Sequence, residues 1–337
     1  MKLSHIRRFF GRGATRAIFC LSALSLPVIS CERIFDAEGN CFEVLFRQTL
    51  NIPGEDLYAS RVNSVSLYIF DLDGNLVDAM SGTGPLMSLD IEPGTYDLVA
   101  WGGLEGNRTF SLAGNGTTIT KDDLVCRLVR EHEAGGQAVS RKELDDLFHG
   151  SGRYEFSMKN RVNVIDLAKD NNTVHVILHP RNNGGKLFQE DFTFSITDNN
   201  GLMNYDNVLL SDETIAYGDW NRVGTRKSKA ATKPEDIEAG AVAADIDISR
   251  LVKDGHSAAT LTVTATGENA TVISLPLIST LLMVKDSDGG FGMSDQEYLD
   301  RQDDYTIEFF LDDDLTWNRS LGIYVNSWHV IFIDKDL

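Results

Sequence analysis

After residue 40, apolar and polar positions alternate with a period of two through most of the chain, as in strands buried on one face. FEVLF places Phe42, Val44 and Phe46 on one side, and VSLYIF does the same with Val65, Leu67 and Ile69. TYDLVAW, VHVIL, FTFSI and LTVTA repeat the pattern, whereas TVISLPL, YTIEFFL and LGIYVNSWHVIFI are longer and more apolar. Turn-forming groups separate the runs: Asp73-Gly74, Pro93-Gly94, Gly114-Asn115-Gly116, Asn199-Asn200-Gly201 and Gly289-Gly290. Short strands with polar turns, and no strand–helix alternation, predict an all-β chain of sandwiches rather than a doubly wound sheet.

One helix is expected from Ser140. That residue can cap, Glu143 completes a capping box, Leu144, Leu147 and Phe148 share a face, and Gly150 ends it. A shorter helix is expected from Thr120. A boundary is expected near Asn182-Asn183-Gly184-Gly185, giving two tandem sandwiches, 31–181 and 182–337, with short connecting helices. The Lys- and Ala-rich stretch from Arg222 to Ala244 has no strand pattern and reads as a long loop.

Residues 1–30 have the parts of a secretory signal. Lys2, Arg7, Arg8, Arg12 and Arg16 come first, an apolar run from Ala17 to Ile29 follows, and Ser30 stands before Cys31. The run falls short of the roughly 20 apolar residues that a spanning helix needs. Val28-Ile29-Ser30-Cys31 fits a bacterial lipoprotein signal in which Cys31 carries the lipid; an ordinary signal with a cysteine near its cut is the alternative. The leader holds 5 of the 31 basic residues and none of the 50 acidic ones, so the remainder carries 26 against 50, a net of −24. Such a surface excludes nucleic acid as a partner and excludes adhesion to anionic lipid through a polybasic face. Of the four cysteines, Cys20 leaves with the leader. Cys41 and Cys126 are then an even pair in an oxidising envelope, which suggests one disulfide; two unrelated thiols are the alternative.

The candidate chemistry is thin. VSLYIFDLDGNLVD matches the first motif of the haloacid dehalogenase phosphatases, with Asp71 as nucleophile and Asp73 as general acid/base beside Mg²⁺. Asn75 follows Gly74 where that family usually has Thr, and PLMSLDIEPGTYDLVAWG continues as strand, turn, strand, so Asp73-Gly74 reads as a hairpin turn. Asp286 to Asp288 and Asp312 to Asp314 lack the ligand spacing of a calcium loop, and Gly290 stands where a ligand is needed. The seven histidines show no metal-ligand spacing, and His175 and His329 fall in strands. Trp101, Trp220, Trp317 and Trp328 are expected in the core or at sheet edges. No catalytic residue, metal, cofactor or small-molecule substrate is implied.

Several segments together resemble the FimB-type minor-fimbrium anchoring subunits, the anchor lipoproteins of type V fimbriae. These are the closely spaced Cys31 and Cys41 before FEVLF, then VNSVSLYIFDLDGNLV, SLDIEPGTYDLVAWGG, DLFHG, FTFSITDNNGLMNYDN and the closing VNSWHVIFIDKDL. The likeness covers most of the chain after the leader. It implies two transthyretin-like β-sandwich domains, no enzymatic activity, a lipid anchor in the cell outer membrane, and a major fimbrial shaft subunit as partner. It also implies a mechanism. Shaft subunits join by β-strand addition once a protease removes an N-terminal strand, and an anchor that keeps its own strand ends the polymer. Other classes remain open: a tip or adhesin subunit of the same assembly, a surface glycan-binding lipoprotein using its Trp side chains, and the phosphatase.

Overall fold

The computed structural model describes residues 41–113, 120–182, 185–225, 240–253, 257–267 and 270–332. The chain first lays down β1 (Cys41–Leu50), a helical turn α1 (Tyr58–Arg61), β2 (Val65–Phe70), β3 (Leu76–Gly82), β4 (Leu86–Asp90) and β5 (Gly94–Gly102). It leaves that layer for β6 (Phe110–Ala113), β7 (Val125–Leu128), β8 (Glu131–His132) and β9 (Ala138–Ser140), then returns for β10 (Phe148–Phe156) and β11 (Val162–Lys169). The rest is β12 (Asn171–Pro180), β13 (Phe192–Asp198), β14 (Leu202–Met203), β15 (Ile215–Gly218), β16 (Asn221–Gly224), β17 (Val242–Ser249), β18 (Thr260–Ala265) and β19 (Ala270–Pro276). Helices α2 (Leu277–Leu282) and α3 (Asp295–Arg301) precede β20 (Asp304–Leu311), β21 (Ile323–Val325) and β22 (Trp328–Val330).

A seven-stranded sheet, β3-β2-β5-β10-β11-β1-β4, forms the N-terminal layer. Its alternation is the one read from sequence: Phe42, Val44 and Phe46 of β1 meet Val65, Leu67 and Ile69 of β2 in one buried cluster with Leu89, Phe156 and Ile165. β5 is buried on both faces over its second half. Leu98 and Ala100 face that cluster, while Val99 and Trp101 join a second, larger core. That larger core lies between two six-stranded sheets, β16-β17-β12-β20-β21-β22 and β19-β18-β13-β15-β9-β8, and is closed by the three-stranded β14-β7-β6. The described residues are thus mostly β, in two layer systems between which the chain passes more than once, and a 3₁₀ turn at Lys121–Asp123, capped by Thr120, stands where a short helix was expected.

Four sequence expectations differ from the structure. The division at 181/182 falls after β12, yet β12 is central to a C-terminal sheet, antiparallel to β17 and parallel to β20. The chain passes between layers at Asp170, and β6 to β9 also belong to the C-terminal side. The helix from Ser140 does not form. The Leu144 N–H donates to Asp247 Oδ2 at 2.8 Å and the Leu147 N–H to Asn171 Oδ1 at 3.1 Å. Leu147 enters the larger core while Phe148 enters the N-terminal one, a split that one helix face cannot make. The last apolar run is a hairpin, β21–β22, turning on Asn326 and Ser327 at φ 47° and 70°. Within Arg222 to Ala244, the described ends are strand, β16 and the start of β17.

Candidate functional site: the N-terminal strand

β1 has a neighbour on each side. It runs parallel to β11, from Glu43↔Val162 to Arg47↔Asp166 and again at Leu50↔Ala168, and antiparallel to β4 from Cys41↔Asp90 to Leu45↔Leu86. Its inward side chains, Phe42, Val44 and Phe46, are fully buried. Each contributes about 2 kcal/mol by leaving water, which holds the strand in register. On the outer face Arg47 forms a fork with Asp166, Nε to Oδ1 at 3.1 Å and Nη2 to Oδ2 at 3.2 Å, and Thr49 Oγ1 donates to the same carboxylate at 2.8 Å. Both charges are partly exposed, so the pair fixes register more than it stabilises.

The residue after Arg47 is held on its other edge by the chain's own return. The Gln48 N–H donates to Asp56 Oδ1 at 3.1 Å, and its carbonyl accepts from the Leu57 N–H at 3.0 Å and from Asn51 Nδ2 at 3.1 Å. Gln48 is 1% exposed, so the bond after Arg47 is closed to an enzyme that must draw its substrate into an extended cleft.

Beyond β1 the layers meet through polar and aromatic groups. The nearly buried Lys169 ammonium lies 3.2 Å from Asp146 and 3.6 Å from Asp303, and Arg61 reaches Asp303 at 2.7 Å. The His149 ring packs on Trp101 at 4.5 Å between centroids, and its Nε2 meets the Tyr205 carbonyl at 2.9 Å. Burial holds the His149 imidazole neutral, with its pKa lowered to about 4. Asp170, fully buried where the chain crosses, accepts from Asn207 Nδ2 at 2.6 Å. Burial raises its pKa to about 7. Arg250, 3.9 Å away, offsets this only in part because its guanidinium is already forked onto Asp300 at 2.8 and 2.9 Å.

The residues singled out from the sequence do not converge. Cys31 lies outside the described residues. Cys126 is a free, fully buried thiol in the larger core, so the Cys41–Cys126 bridge does not form. The two stand in different sheets, Cys41 in β1 and Cys126 in β7. Burial pushes the Cys126 thiol far above its ordinary range. Asp71 and Asp73 sit in the β2–β3 hairpin turn with Gly74 at φ 81°. The Asp71 carboxylate accepts from Asn75 Nδ2 at 3.0 Å and, within the turn, from the Asn75 and Asp73 amides, bonds that hold its pKa below the usual range. Lys121, the nearby cation, is committed to Asp97 at 2.6 Å.

Asp288 accepts from Tyr298 Oη and Asn326 Nδ2, both at 2.7 Å, and Asp312 pairs with Arg181 at 2.8 Å, so the acidic turns are structural ties. Among the described residues no group of His, Cys, Asp and Glu is placed to hold a metal ion, and no helix is long and apolar enough to cross a membrane. Trp101 and Trp317 are buried, Trp220 is half-buried and Trp328 is 46% exposed. His175 is held between Asp245 at 2.7 Å and Asp304 at 3.5 Å. The Asp245 hydrogen bond leads in raising its pKa to about 10. Sequence reading missed the Arg47–Asp166 fork, the Lys169 cluster and Asp170, since their partners are remote in sequence.

The model of one protein family, described as fimbrillin-A associated anchor proteins Mfa1 and Mfa2, matches residues 36–334. Among solved structures, a candidate adhesin from Bacteroides thetaiotaomicron is 28% identical with a TM-score of 0.75, over 88% of this chain and 99% of that one. A candidate polysaccharide-binding protein from the same organism is 24% identical with a TM-score of 0.72, over 88% and 99%. The fimbrial anchor protein Mfa2 from Porphyromonas gingivalis is 16% identical with a TM-score of 0.64, over 88% of this chain and 100% of that one. No curated protein matches.

Proposed function

The chain belongs to the Mfa2 family of fimbrillin-A associated anchor proteins, and from that premise we propose that it ties a fimbrial shaft to the outer membrane through lipid on Cys31. The lipid holds the base, and the retained β1 fills the place that a neighbour's strand would otherwise take, so the polymer ends at this subunit. Two or more acyl chains suit such a load, since each buried CH₂ adds about 0.8 kcal/mol and a single chain binds a bilayer only reversibly. The observation that carries the reading is the seating of β1: paired on both sides, with Arg47 forked onto Asp166 and Gln48 closed over by residues 51–57. A strand meant for removal by a cut after Arg47 needs that bond exposed. The partner is a shaft subunit, and we assign the chain no catalytic role.

The test is Cys31→Ala, or globomycin treatment, followed by fractionation of the cells. Fimbriae shed into the medium are the expected result; fimbriae that stay on the cell overturn the anchor reading. A second reading, an adhesin subunit of the same assembly, is favoured by the 28% identity to the candidate adhesin. It predicts attached fimbriae with loss of adherence in the same experiment.

A further inference from the structure

Strand polarity in the N-terminal sheet sets where tension enters and leaves. The described chain begins at Cys41, beside Asp90 of β4 and close to Val162, the first residue of β11. All three chain passages to the C-terminal layers leave from the opposite pole. Gly102 ends β5, Phe148 begins β10 and Lys169 ends β11, and the three lie side by side, paired Gly102↔Phe148↔Lys169. β1 itself reaches that pole at its trailing end, where Leu50 pairs with Ala168 and Arg301 Nη1 donates to the Thr49 and Asn51 carbonyls at 3.5 and 3.4 Å.

We propose that β1 is a mechanical clamp: pulled from Cys41 against the C-terminal layers, it is loaded in shear along its length between β11 and β4. This rests on the anchor reading only for the direction of the load. In shear, all the ladder bonds to β11 and β4 bear the load together and must fail together. A strand peeled from one end loses its bonds one at a time, at low force. Outward motion of β1 by one residue would also turn Phe42, Val44 and Phe46 out of the core and part Arg47 and Thr49 from Asp166. The parallel β1–β11 pair is what gives this geometry, because two parallel strands drawn from opposite ends slide past one another and cannot unzip.

Single-molecule force spectroscopy on the mature chain, held by its N-terminus in both arrangements, separates the two loadings. With the second handle attached through Glu105→Cys, beyond the β5 pole, β1 is sheared. With it attached through Lys159→Cys, in the β10–β11 turn beside the start of β1, the same strand is peeled. Both residues are exposed. A rupture force several-fold higher through residue 105 than through residue 159, lowered by Asp166→Asn only in the first arrangement, is the expected result. Equal forces in the two arrangements, or an Asp166→Asn effect confined to peeling, overturn the clamp. Neither outcome depends on whether fimbriae are shed, so the clamp and the anchor fail separately.

Discussion

Single residues divide into those whose environment follows from local pattern and those set by remote partners. Phe42, Val44 and Phe46 were readable because alternation alone assigns their face, and all three are fully buried. Phe46→Ala is expected to cost about 3–5 kcal/mol, read from the urea midpoint of unfolding. Cys41 and Cys126 were not readable as a pair, because pairing depends on which sheets they enter. Asp170 was likewise invisible, lying in a short polar link between two strands. Burial raises its folded pKa to about 7 from an ordinary 3.8, so the native state keeps a proton that the unfolded chain releases. Its contribution therefore falls as pH rises from about 4 to about 7 and is level above that range. Asp170→Asn is expected to remove this fall and to raise stability at pH 8. A midpoint difference between variant and parent that does not change between pH 4 and pH 8 would contradict that account.

At the scale of elements, strands were readable and their partners were not. VHVIL announced β12 correctly, but nothing in its alternation says that β17 and β20 flank it, so the boundary fell one strand too late. Leu144, Leu147 and Phe148 have helical spacing, yet Asp247 and Asn171 take the amides of Leu144 and Leu147 and two cores divide the side chains. Helix α3 carries a local signal of its own: Ser294 caps it, accepting from the Glu297 N–H at 3.1 Å, in a Ser-x-x-Glu sequence.

Strand pairing also makes a pH prediction. His175 pairs with Asp245 in register, and its pKa rises to about 10, above the ordinary 6.5. The stability from this pair is therefore full below about pH 6.5 and is lost as pH rises through 10. His175→Gln should cost about 1 kcal/mol at pH 6, allowing for solvent screening of a half-buried pair, and nothing measurable above pH 10. For β1, limited trypsin digestion of the folded protein should cut at exposed sites such as Arg161 before it cuts after Arg47. Early cleavage after Arg47 would show that β1 opens readily.

For the whole molecule, fold class and family were both available from the sequence: the all-β architecture follows from alternation and turns, and the anchor family matches residues 36–334. The candidate site was only half available. FEVLFRQTL announced a strand, but its two-sided pairing, the Asp166 fork and the closure over Gln48 come from residues that are 117 to 119 and 8 positions away. The central claim is that this strand stays joined to a lipidated Cys31 in the assembled fimbria. Intact-mass and N-terminal peptide mass spectrometry of the subunit from purified fimbriae tests it most directly. The account predicts a chain that begins at acylated Cys31 and continues through Arg47 into Gln48. A subunit that begins at Gln48, or at an unmodified residue beyond Cys31, would contradict it.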